Sequence, residues 1–273
     1  MASQKKISFI GSGRMAEAIV GGIIKKKIFQ ASHIYIADKD TEKARSLTRK
    51  FKVNFCEDNN KALWAGNIIV LAVKPQNMIQ VLQQIKEEIK ASQLVISIAA
   101  GITIAFIEKA LKGCPVIRVM PNNPCLIGKG MTAVAAGKNA GNSDLKTARD
   151  IFDCLGKTIV LEEKYFDAVT GLSGSGPAFV YEFIAALAQG GGKSGLDRET
   201  SYHLAVQTVL GSVMTLTETG KSPKELVEMV ASPGGTTVEG LKIFEEANFS
   251  QIVSDAVYAA AARSKRISDD LAA

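Results

Sequence analysis

Residues 232–237, "SPGGTT", combine the residue types that bind a small anion without any ionisable side chain. Pro233 and the two glycines after it must end the preceding helical segment. Thr236 stands three residues before Glu239, a spacing typical of a capping box at a helix start. Backbone N–H groups and hydroxyls should therefore converge at this helix N-terminus, where a small carboxylate binds favourably. The predicted substrate contacts are Ser232, Gly234, Gly235, Thr236 and Thr237.

A second joint of the same kind lies at 171–179, "GLSGSGPAF", and gives Ser175 as a further predicted substrate contact. Glycine and serine again leave backbone groups accessible next to a helical pattern. Taken singly, each joint is equally consistent with a plain cap or turn that binds nothing.

The N-terminal stretch "FIGSGRMAEAI" has the G-x-G-x-x-A form of a dinucleotide-binding loop. It follows a strand pattern and opens a helical one, as such a loop requires. Gly11 permits a tight turn, Gly13 lets the backbone approach a pyrophosphate, and Ala16 lets the helix pack close to the strand. Asp38 ends the next strand pattern, "HIYIAD", where a carboxylate can bind ribose hydroxyls. We therefore expect a bound dinucleotide, the alternative being a tight turn without a ligand.

Two further loops follow predicted strands, "AVKPQN" at 72–77 and "SIAAGI" at 97–102. Ligands of open α/β sheets bind beyond the carboxyl ends of the strands, and the small residues here leave room for a flat ring. Ordinary tight turns are the alternative. The predicted cofactor contacts are Gly11, Ser12, Gly13, Arg14, Met15, Asp38, Lys39, Ala72, Val73, Lys74, Pro75, Ala99, Ala100, Gly101 and Asn122.

Helices and strands must position these residues. The two halves of the chain differ in their predicted secondary structure. Up to about residue 161, short Ile- and Val-rich runs alternate with helical patterns, which is typical of a parallel sheet covered by helices. The predicted strands are "ISFI", "HIYIAD", "NIIVLAV", "LVISIA", "PVIRVM" and "KTIVL", with helices at 14–27, 41–51, 75–89 and 103–111. Later segments have helical spacing only, at 178–187, 198–217, 223–230, 238–246 and 251–267.

The predicted fold class is therefore α/β, a Rossmann-like doubly wound sheet followed by an all-helical domain. We place the dinucleotide-binding domain at 1–162 and the helical substrate and dimerisation domain at 163–273. Much of the second domain is apolar, so it should bury part of its faces against another subunit.

Composition argues against several other classes of protein. The 273-residue chain carries a net charge of +6, and no apolar run reaches the ~18 residues that a membrane helix needs. With no signal-peptide pattern at its start, we expect a cytoplasmic protein. The basic clusters at 25–27 and 263–266 lack interleaved aromatic residues, so nucleic-acid binding is not expected. Four scattered cysteines and two histidines predict buried free thiols and no metal site.

Together, these motifs resemble those of the pyrroline-5-carboxylate reductase family, and the resemblance extends over essentially the whole chain. The matching segments, in order, are "GSGRMAEAI", "AVKPQ", "SIAAG", "RVMPNNP", "GLSGSGPAFVYEFIAALA", "SPGGTTVEGL" and "AARSKRI". The first is shared with many dehydrogenases, whereas the two joints of the helical half are specific to the family.

The resemblance implies reduction of 1-pyrroline-5-carboxylate, a cyclic imine carboxylate, to L-proline by hydride transfer from NAD(P)H, the last step of proline biosynthesis. It also implies a homodimer or a higher multiple of dimers, with substrate between the nicotinamide of one subunit and helical segments of its partner. Joint 232–237 then holds the carboxylate, and Thr237, near the ring nitrogen, is the predicted catalytic residue. Because the imine is basic enough to arrive protonated, orientation matters more than a strong side-chain acid.

The sequence departs from the family pattern at three positions. Asn123 stands where Thr is usual, Gln189 where Asp is usual, and Gly192 where Val is common. The first change can alter contacts near the nicotinamide, and the other two are expected to affect helix packing.

The charge of Asp38 and the family resemblance predict different cofactors. A carboxylate at Asp38 suits the 2′-hydroxyl of NADH and repels the 2′-phosphate of NADPH, whereas the family usually favours NADPH. Lys39 and Arg14 could offset the repulsion by pairing with the phosphate. We expect NADPH to be used, with NADH as an alternative.

Two other functions remain open on the sequence. A two-domain β-hydroxyacid dehydrogenase needs a catalytic Lys in a glycine-flanked motif, for which Lys193 is only a loose candidate. A non-catalytic redox sensor would bind the dinucleotide without turnover. By contrast, "GGGKS" at 190–194 lacks the first glycine of a P-loop, and "GLSGS" at 171–175 lacks the last glycine of a nucleophile elbow.

Overall fold

The computed structural model describes the backbone of residues 4–272 and the side chains of residues 4–270. The chain forms two compact units. The sheet unit comprises the chain up to Gly174 together with the chain from Ala259 onward, and the helical unit is Ser175–Tyr258. Residues 163–174 thus group with the sheet in space, and the domain boundary after residue 162 stays a prediction.

Across the described residues, the strands of the sheet unit form one eight-stranded sheet. In chain order they are β1 Ile7–Ile10, β2 Ile34–Ala37, β3 Asn54–Phe55, β4 Ile68–Leu71, β5 Leu94–Ser97, β6 Val116–Met120, β7 Gly130–Ala136 and β8 Gly156–Val160. Their spatial order is β3-β2-β1-β4-β5-β6-β7-β8, and neighbours are parallel except for β6 and β7. The chain reverses its direction of travel across the sheet between β1 and β4, which confirms the predicted doubly wound fold.

Alternating side chains of the central strands enter two hydrophobic clusters on opposite faces of the sheet. Ile7 and Phe9 of β1 belong to one cluster, and Ile10 belongs to the other. In β4, Ile68 joins the first cluster and Ile69 the second. Burial on both faces explains why these strands read as continuous apolar runs.

Seven helices cover this sheet in the described chain before Gly174: α1 Arg14–Lys25, α2 Thr41–Phe51, α3 Asn59–Ala65, α4 Met78–Ile85, α5 Ile104–Ala110, α6 Asn142–Phe152 and α7 Phe166–Val169. Buried residues of α1, α2 and α6 belong to the first cluster, and those of α4 and α5 to the second. Three of these helices begin at a capping side chain. Each capping side chain accepts a hydrogen bond from the N–H three residues later. The pairs are Asp40 with Lys43 at 3.1 Å, Asp58 with Lys61 at 2.7 Å and Thr103 with Phe106 at 3.2 Å.

The helical unit contains α8 Gly176–Lys193, α9 Arg198–Thr219, α10 Pro223–Val230, α11 Thr236–Glu246 and the first part of α12 Phe249–Ala272. Phe249 ties α12 to its neighbours, because its ring lies 4.6 Å from Phe244 of α11 and 6.1 Å from Phe183 of α8. Few apolar side chains are buried in this unit: Val213 is 57% exposed and Val230 is 66% exposed.

The last part of α12 belongs to the sheet unit. Ser264, which is buried, donates a 2.7 Å hydrogen bond to Asp167 of α7. Ile267 lies against Gly101, where a Cβ atom would come within 2.7 Å of the isoleucine Cγ2. The sheet unit is therefore built from both ends of the chain.

A partly buried ion pair joins β6 to the segment that follows β8. Arg118 pairs with Glu163 at 2.8 Å, and the same carboxylate oxygen accepts the N–H of Ile104 at 2.7 Å. The guanidinium also lies over the ring of Phe166, 4.9 Å from its centroid. Because these contacts join Glu163 and Phe166 to β6 and to the start of α5, both residues pack as part of the sheet unit.

Candidate functional site

A cavity of about 600 Å³ opens at the carboxyl ends of β1, β2 and β4. This volume is typical of small-molecule sites. The position is the switch point where chain connections leave β1 and β4 in opposite directions, which is where open α/β sheets bind ligands. Seven of the predicted cofactor contacts line it: Gly11, Gly13, Asp38, Lys39, Ala72, Val73 and Lys74.

The glycine loop has the geometry that the sequence predicts. The N–H of Gly11 donates to Ala37 at 2.8 Å, its φ is +107°, and a Cβ atom there would lie 2.4 Å from the Ala72 carbonyl oxygen. No L side chain fits in that position. At Gly13, the residue before α1, a Cβ atom would meet nothing within 4 Å, and no side chain caps the helix. The free space and the uncapped N–H groups fit a pyrophosphate.

Asp38 links the end of β2 to the glycine loop. One carboxylate oxygen accepts both the N–H and the hydroxyl of Ser12 at 2.7 Å, and the other accepts the N–H of Asp40 at 3.0 Å. Partial burial by itself raises the pKa of Asp38, but the hydrogen bonds from Asp40 and Ser12 outweigh it, so the pKa lies below its usual value. The carboxylate is therefore charged at neutral pH and lies in the cavity wall.

Four other predicted cofactor contacts near the loops do not line the cavity. Ser12 is buried and donates its hydrogen bonds to Asp38, and Arg14 is exposed at the first position of α1. Met15 packs against the first hydrophobic cluster. Pro75 opens a 3₁₀ turn, Pro75–Asn77. Direct contact of these side chains with a cofactor stays a prediction.

The loop after β5 lies against the end of α12 rather than in the cavity wall. Ala99 is buried in the second hydrophobic cluster, and Ala100 is half-buried. Gly101 has a φ of +75° and contacts Ile267. The approach of these three residues to a nicotinamide also stays a prediction.

The side chain of Asn122 forms hydrogen bonds within the sheet unit. Its Nδ2 donates to the carbonyl and hydroxyl of Ser173 at 3.2 and 3.3 Å, and its Oδ1 accepts the N–H of Met131 at 3.0 Å. This predicted cofactor contact does not line the cavity.

Several residues of the cavity wall were not predicted. Lys43 of α2 adds a positive charge near Asp38, and Asn59 and Asn60 stand at the start of α3. The Oδ1 atom of Asn60 is buried without a hydrogen-bond partner. The available signal was Asp58, a capping residue placed just before an apolar helical pattern.

The joint at 232–237 folds as a tight turn followed by a helix start. Ser232 accepts the N–H of Gly235 at 2.9 Å, with Pro233 and Gly234 between them and a φ of +71° at Gly234. Proline followed by a left-handed glycine is typical of a type II turn. At Gly235 a Cβ atom would lie 2.6 Å from the Ser232 hydroxyl, so the backbone approaches that side chain closely.

The predicted capping box between Thr236 and Glu239 is wrong. Gly235 is the residue before α11, so Thr236 is already helical, and Glu239 pairs with Lys242 at 2.7 Å. No side chain caps this helix start. The first N–H groups of α11, at Thr236 and Thr237, therefore have no intrahelical acceptor, as at any helix start. The joint thus presents donors and hydroxyls suited to a carboxylate.

The second joint places Ser175 directly before α8, half-buried, with its side chain capping nothing. Its carbonyl accepts the N–H of Ala178 at 2.9 Å. A substrate contact at Ser175, like those of the 232–237 joint, stays a prediction.

The four cysteines are free thiols, and burial raises the pKa of Cys154 to about 12. Within residues 4–272, no group of three or more His, Cys, Asp or Glu residues is placed to hold a metal ion. Over the same span, no helix has the length and apolar character needed to cross a bilayer.

Two family models match the chain. Residues 163–267 match pyrroline-5-carboxylate reductase dimerisation, and residues 6–101 match NADP oxidoreductase coenzyme F420-dependent. The dimerisation match begins at residue 163, whereas the spatial boundary lies at Gly174.

Full-length relatives and solved structures agree with these matches. The chain is 42% identical to pyrroline-5-carboxylate reductase of Methanosarcina acetivorans, over 96% of this chain and 98% of the relative. It is 33% identical to a Coxiella burnetii pyrroline-5-carboxylate reductase structure, with a TM-score of 0.90 over 97% of this chain and 99% of that one. A Plasmodium falciparum pyrroline carboxylate reductase with NADP bound is 34% identical, with a TM-score of 0.87 over 98% and 100% of the two chains.

Proposed function

Since the chain belongs to the pyrroline-5-carboxylate reductase family, we propose that it reduces 1-pyrroline-5-carboxylate to L-proline with a nicotinamide cofactor, as the last step of proline biosynthesis. The observation that carries the proposal is the pairing, in one chain, of an open glycine loop at Gly13 with an uncapped, hydroxyl-rich helix start at Thr236. The first fits a dinucleotide and the second fits a small carboxylate.

The cofactor supplies a hydride when bound; the chain's own residues bind and orient. Gly11 and Gly13 admit the pyrophosphate to the start of α1, and Asp38, which lines the same cavity, binds the adenosine ribose. Ala72 and Val73 line the cavity with small or apolar surface beside the loop. These contacts lower the entropy cost of the reaction by holding the reactants in one orientation.

The joint at 232–237 holds the substrate carboxylate through the N–H groups of Thr236 and Thr237 and the hydroxyl of Ser232. Thr237, half-buried, orients the ring nitrogen through its hydroxyl, and Ser175 adds a further contact. Because the imine binds already protonated, the site needs neither histidine nor an acid–base pair.

We propose NADPH as the working cofactor, with NADH accepted. The charged carboxylate of Asp38 disfavours a 2′-phosphate, whereas Lys39 and Lys43 in the same cavity wall favour it. The opposing charges support use of both cofactors and make the preference sensitive to single substitutions.

We propose further that the chain works as a homodimer or a higher multiple of dimers in the cytoplasm, without a nucleic-acid or membrane partner. The large apolar side chains left exposed in the helical unit, such as Val213, Val230 and Ile243 at 57–66%, support self-association. Their pairing with a second copy removes them from water.

The deciding measurement is absorbance at the nicotinamide band with pyrroline-5-carboxylate, protein and NADPH or NADH. Steady loss of absorbance that requires the imine supports the reductase. Cofactor binding without turnover favours the redox sensor instead. Turnover of a β-hydroxyacid but not of the imine favours the dehydrogenase, although its candidate Lys193 lies exposed at the end of α8.

A second measurement tests the predicted catalytic residue. We expect Thr237→Ala to lower kcat/KM for the imine by roughly five- to 150-fold, because one positioned hydrogen bond is worth ~1–3 kcal/mol. The cofactor Kd should stay near that of the parent. Thr147→Ala, which removes a hydroxyl bonded to Ser143 on α6, is the matched control and should change neither value. Parent-like kinetics of Thr237→Ala would remove Thr237 from the site.

A further inference from the structure

The chain between Phe166 and Lys193 is helical but interrupted. After α7 it forms a wide π-type turn over Thr170–Gly174, bends at Ser175, and continues as α8. Wide turns of this kind are rare, interrupt the regular α-helical hydrogen bonds locally and are frequent at functional sites.

The interruption leaves the Ser173 carbonyl without a helical donor. In a continuous α-helix its donor would be the N–H of residue 177, but this residue is Pro177, which has none. The donor one residue further, the N–H of Ala178, bonds to Ser175 at 2.9 Å. Leaving a partly buried carbonyl unpaired is costly, so a donor from elsewhere is needed.

Asn122 is that donor. Its Nδ2 reaches the Ser173 carbonyl at 3.2 Å and the Ser173 hydroxyl at 3.3 Å, while Met131 holds its Oδ1 at 3.0 Å. The side chain is thus oriented from one end and donates from the other. The neighbouring contact is also close, because a Cβ atom at Gly174 would lie 2.8 Å from Met120 Cε.

We propose that Asn122 is a positioning residue for the reaction: its amide replaces the N–H that Pro177 lacks and so fixes Ser173, two residues before the predicted substrate contact Ser175. This inference rests on the proposed reductase function. It differs from the cofactor contact that the sequence suggests for Asn122, because the amide acts through Ser173 and Ser175.

The experiment is a double-mutant cycle of Asn122→Ala and Pro177→Ala in the full-length protein. Asn122→Ala should lower kcat/KM for the imine about tenfold, the effect of one lost hydrogen bond, and leave the NADPH Kd within about twofold. Pro177→Ala restores an N–H at the position that a continuous α-helix bonds to the Ser173 carbonyl. In that background, removal of the Asn122 amide should cost less than about threefold.

Two further variants secure the interpretation. Asn122→Asp keeps the size and the acceptor for Met131 but loses the donor, so it should show the same loss toward the imine, even if the alanine variant folds poorly. Asn142→Ala, at the exposed first position of α6, is the matched control and should resemble the parent.

Two results would overturn the proposal. One is a rise of tenfold or more in the NADPH Kd with unchanged kinetics toward the imine, which would make Asn122 a cofactor contact. The other is a double variant whose loss of kcat/KM for the imine equals the product of the losses in the two single variants. The urea midpoints of the four proteins of the cycle (the parent, the two single variants Asn122→Ala and Pro177→Ala, and the double variant) measure the Asn122–Pro177 coupling without turnover. Non-additive midpoints in a protein that does not reduce the imine would therefore refute the proposed function while leaving the hydrogen-bond replacement intact.

Discussion

Asp38 shows how one side chain can serve structure and specificity together. Two hydrogen bonds from Ser12 connect the glycine loop to Asp38 at the end of β2, and a third comes from the N–H of Asp40. The charge of Asp38 faces the cavity beside Lys39. The sequence identified the residue and its charge from its position after a strand pattern. It could not show that the Ser12 hydroxyl donates to this carboxylate, because that contact joins residues 26 apart.

We predict that Asp38→Ser raises the NADPH-to-NADH ratio of kcat/KM several-fold or more. Removing a like charge a few ångströms from the 2′-phosphate is worth roughly 1–2 kcal/mol at a partly exposed site. Steady-state kinetics with both cofactors give the ratio.

Two controls separate the charge from the hydrogen bonds. Ser12→Ala removes one hydrogen bond to Asp38 but no charge, so it should affect both cofactors alike. Asp150→Ser removes an exposed charge on α6 and should leave the ratio unchanged. A ratio that stays constant in Asp38→Ser, or moves toward NADH, would place the ribose elsewhere.

At the scale of elements, the two glycines of the glycine loop are needed for different reasons: Gly11 for folding and Gly13 for cofactor binding. Gly11 has no room for a side chain, whereas a methyl group on Gly13 would meet nothing in the folded chain. The two glycines of one motif therefore serve different purposes.

We predict that Gly13→Ala keeps the urea midpoint of the parent but weakens NADPH binding tenfold or more, because the methyl group enters the space left for the pyrophosphate. Gly11→Ala should lower stability by about 2 kcal/mol or more, since it combines a strained φ with a backbone clash. Urea unfolding and cofactor titration of both variants check this. Equal stability losses in the two variants would contradict the distinction.

The elements that the sequence predicted are those with strong local patterns. Six Ile- and Val-rich strands and the helices of the C-terminal half all form. β7, "GMTAVAA", was missed because small residues give no strand pattern, and it forms by pairing antiparallel to β6. β3 is only two residues long, and α3 and α6 were also not predicted. The donor to the Ser173 carbonyl before α8 is Asn122, 51 residues away in sequence, so no local pattern could identify it.

At the scale of the whole molecule, the two units differ in how they bury apolar surface. The sheet unit has two hydrophobic clusters of its own, whereas the helical unit leaves residues such as Val213 and Ile243 mostly exposed. The sequence indicated this difference through the apolar character of its helices. The individual residues left exposed depend on helix packing and could not be read from spacing.

We predict that Val213→Glu dissociates the assembly. A charge in an apolar interface must be desolvated without a partner, which strongly disfavours association. Light scattering should give a multiple of the 29.1 kDa chain mass for the parent and a lower mass for the variant. Val160→Glu, on a valine of β8 in the sheet unit that is 46% exposed, is the control and should keep the parent mass. A variant with the parent mass would exclude α9 from the interface.

The return of α12 to the sheet unit has a consequence for synthesis on the ribosome. The bond between Asp167 and Ser264 spans 97 residues, and Ile267 follows it. At roughly 5–20 residues per second, the first 174 residues emerge about 5–20 s before the segment that completes their packing. During that interval α7 and the Gly101 loop lack the contacts that Ser264 and Ile267 of α12 supply. A transcript truncated anywhere in the helical unit would therefore yield a defective sheet unit as well.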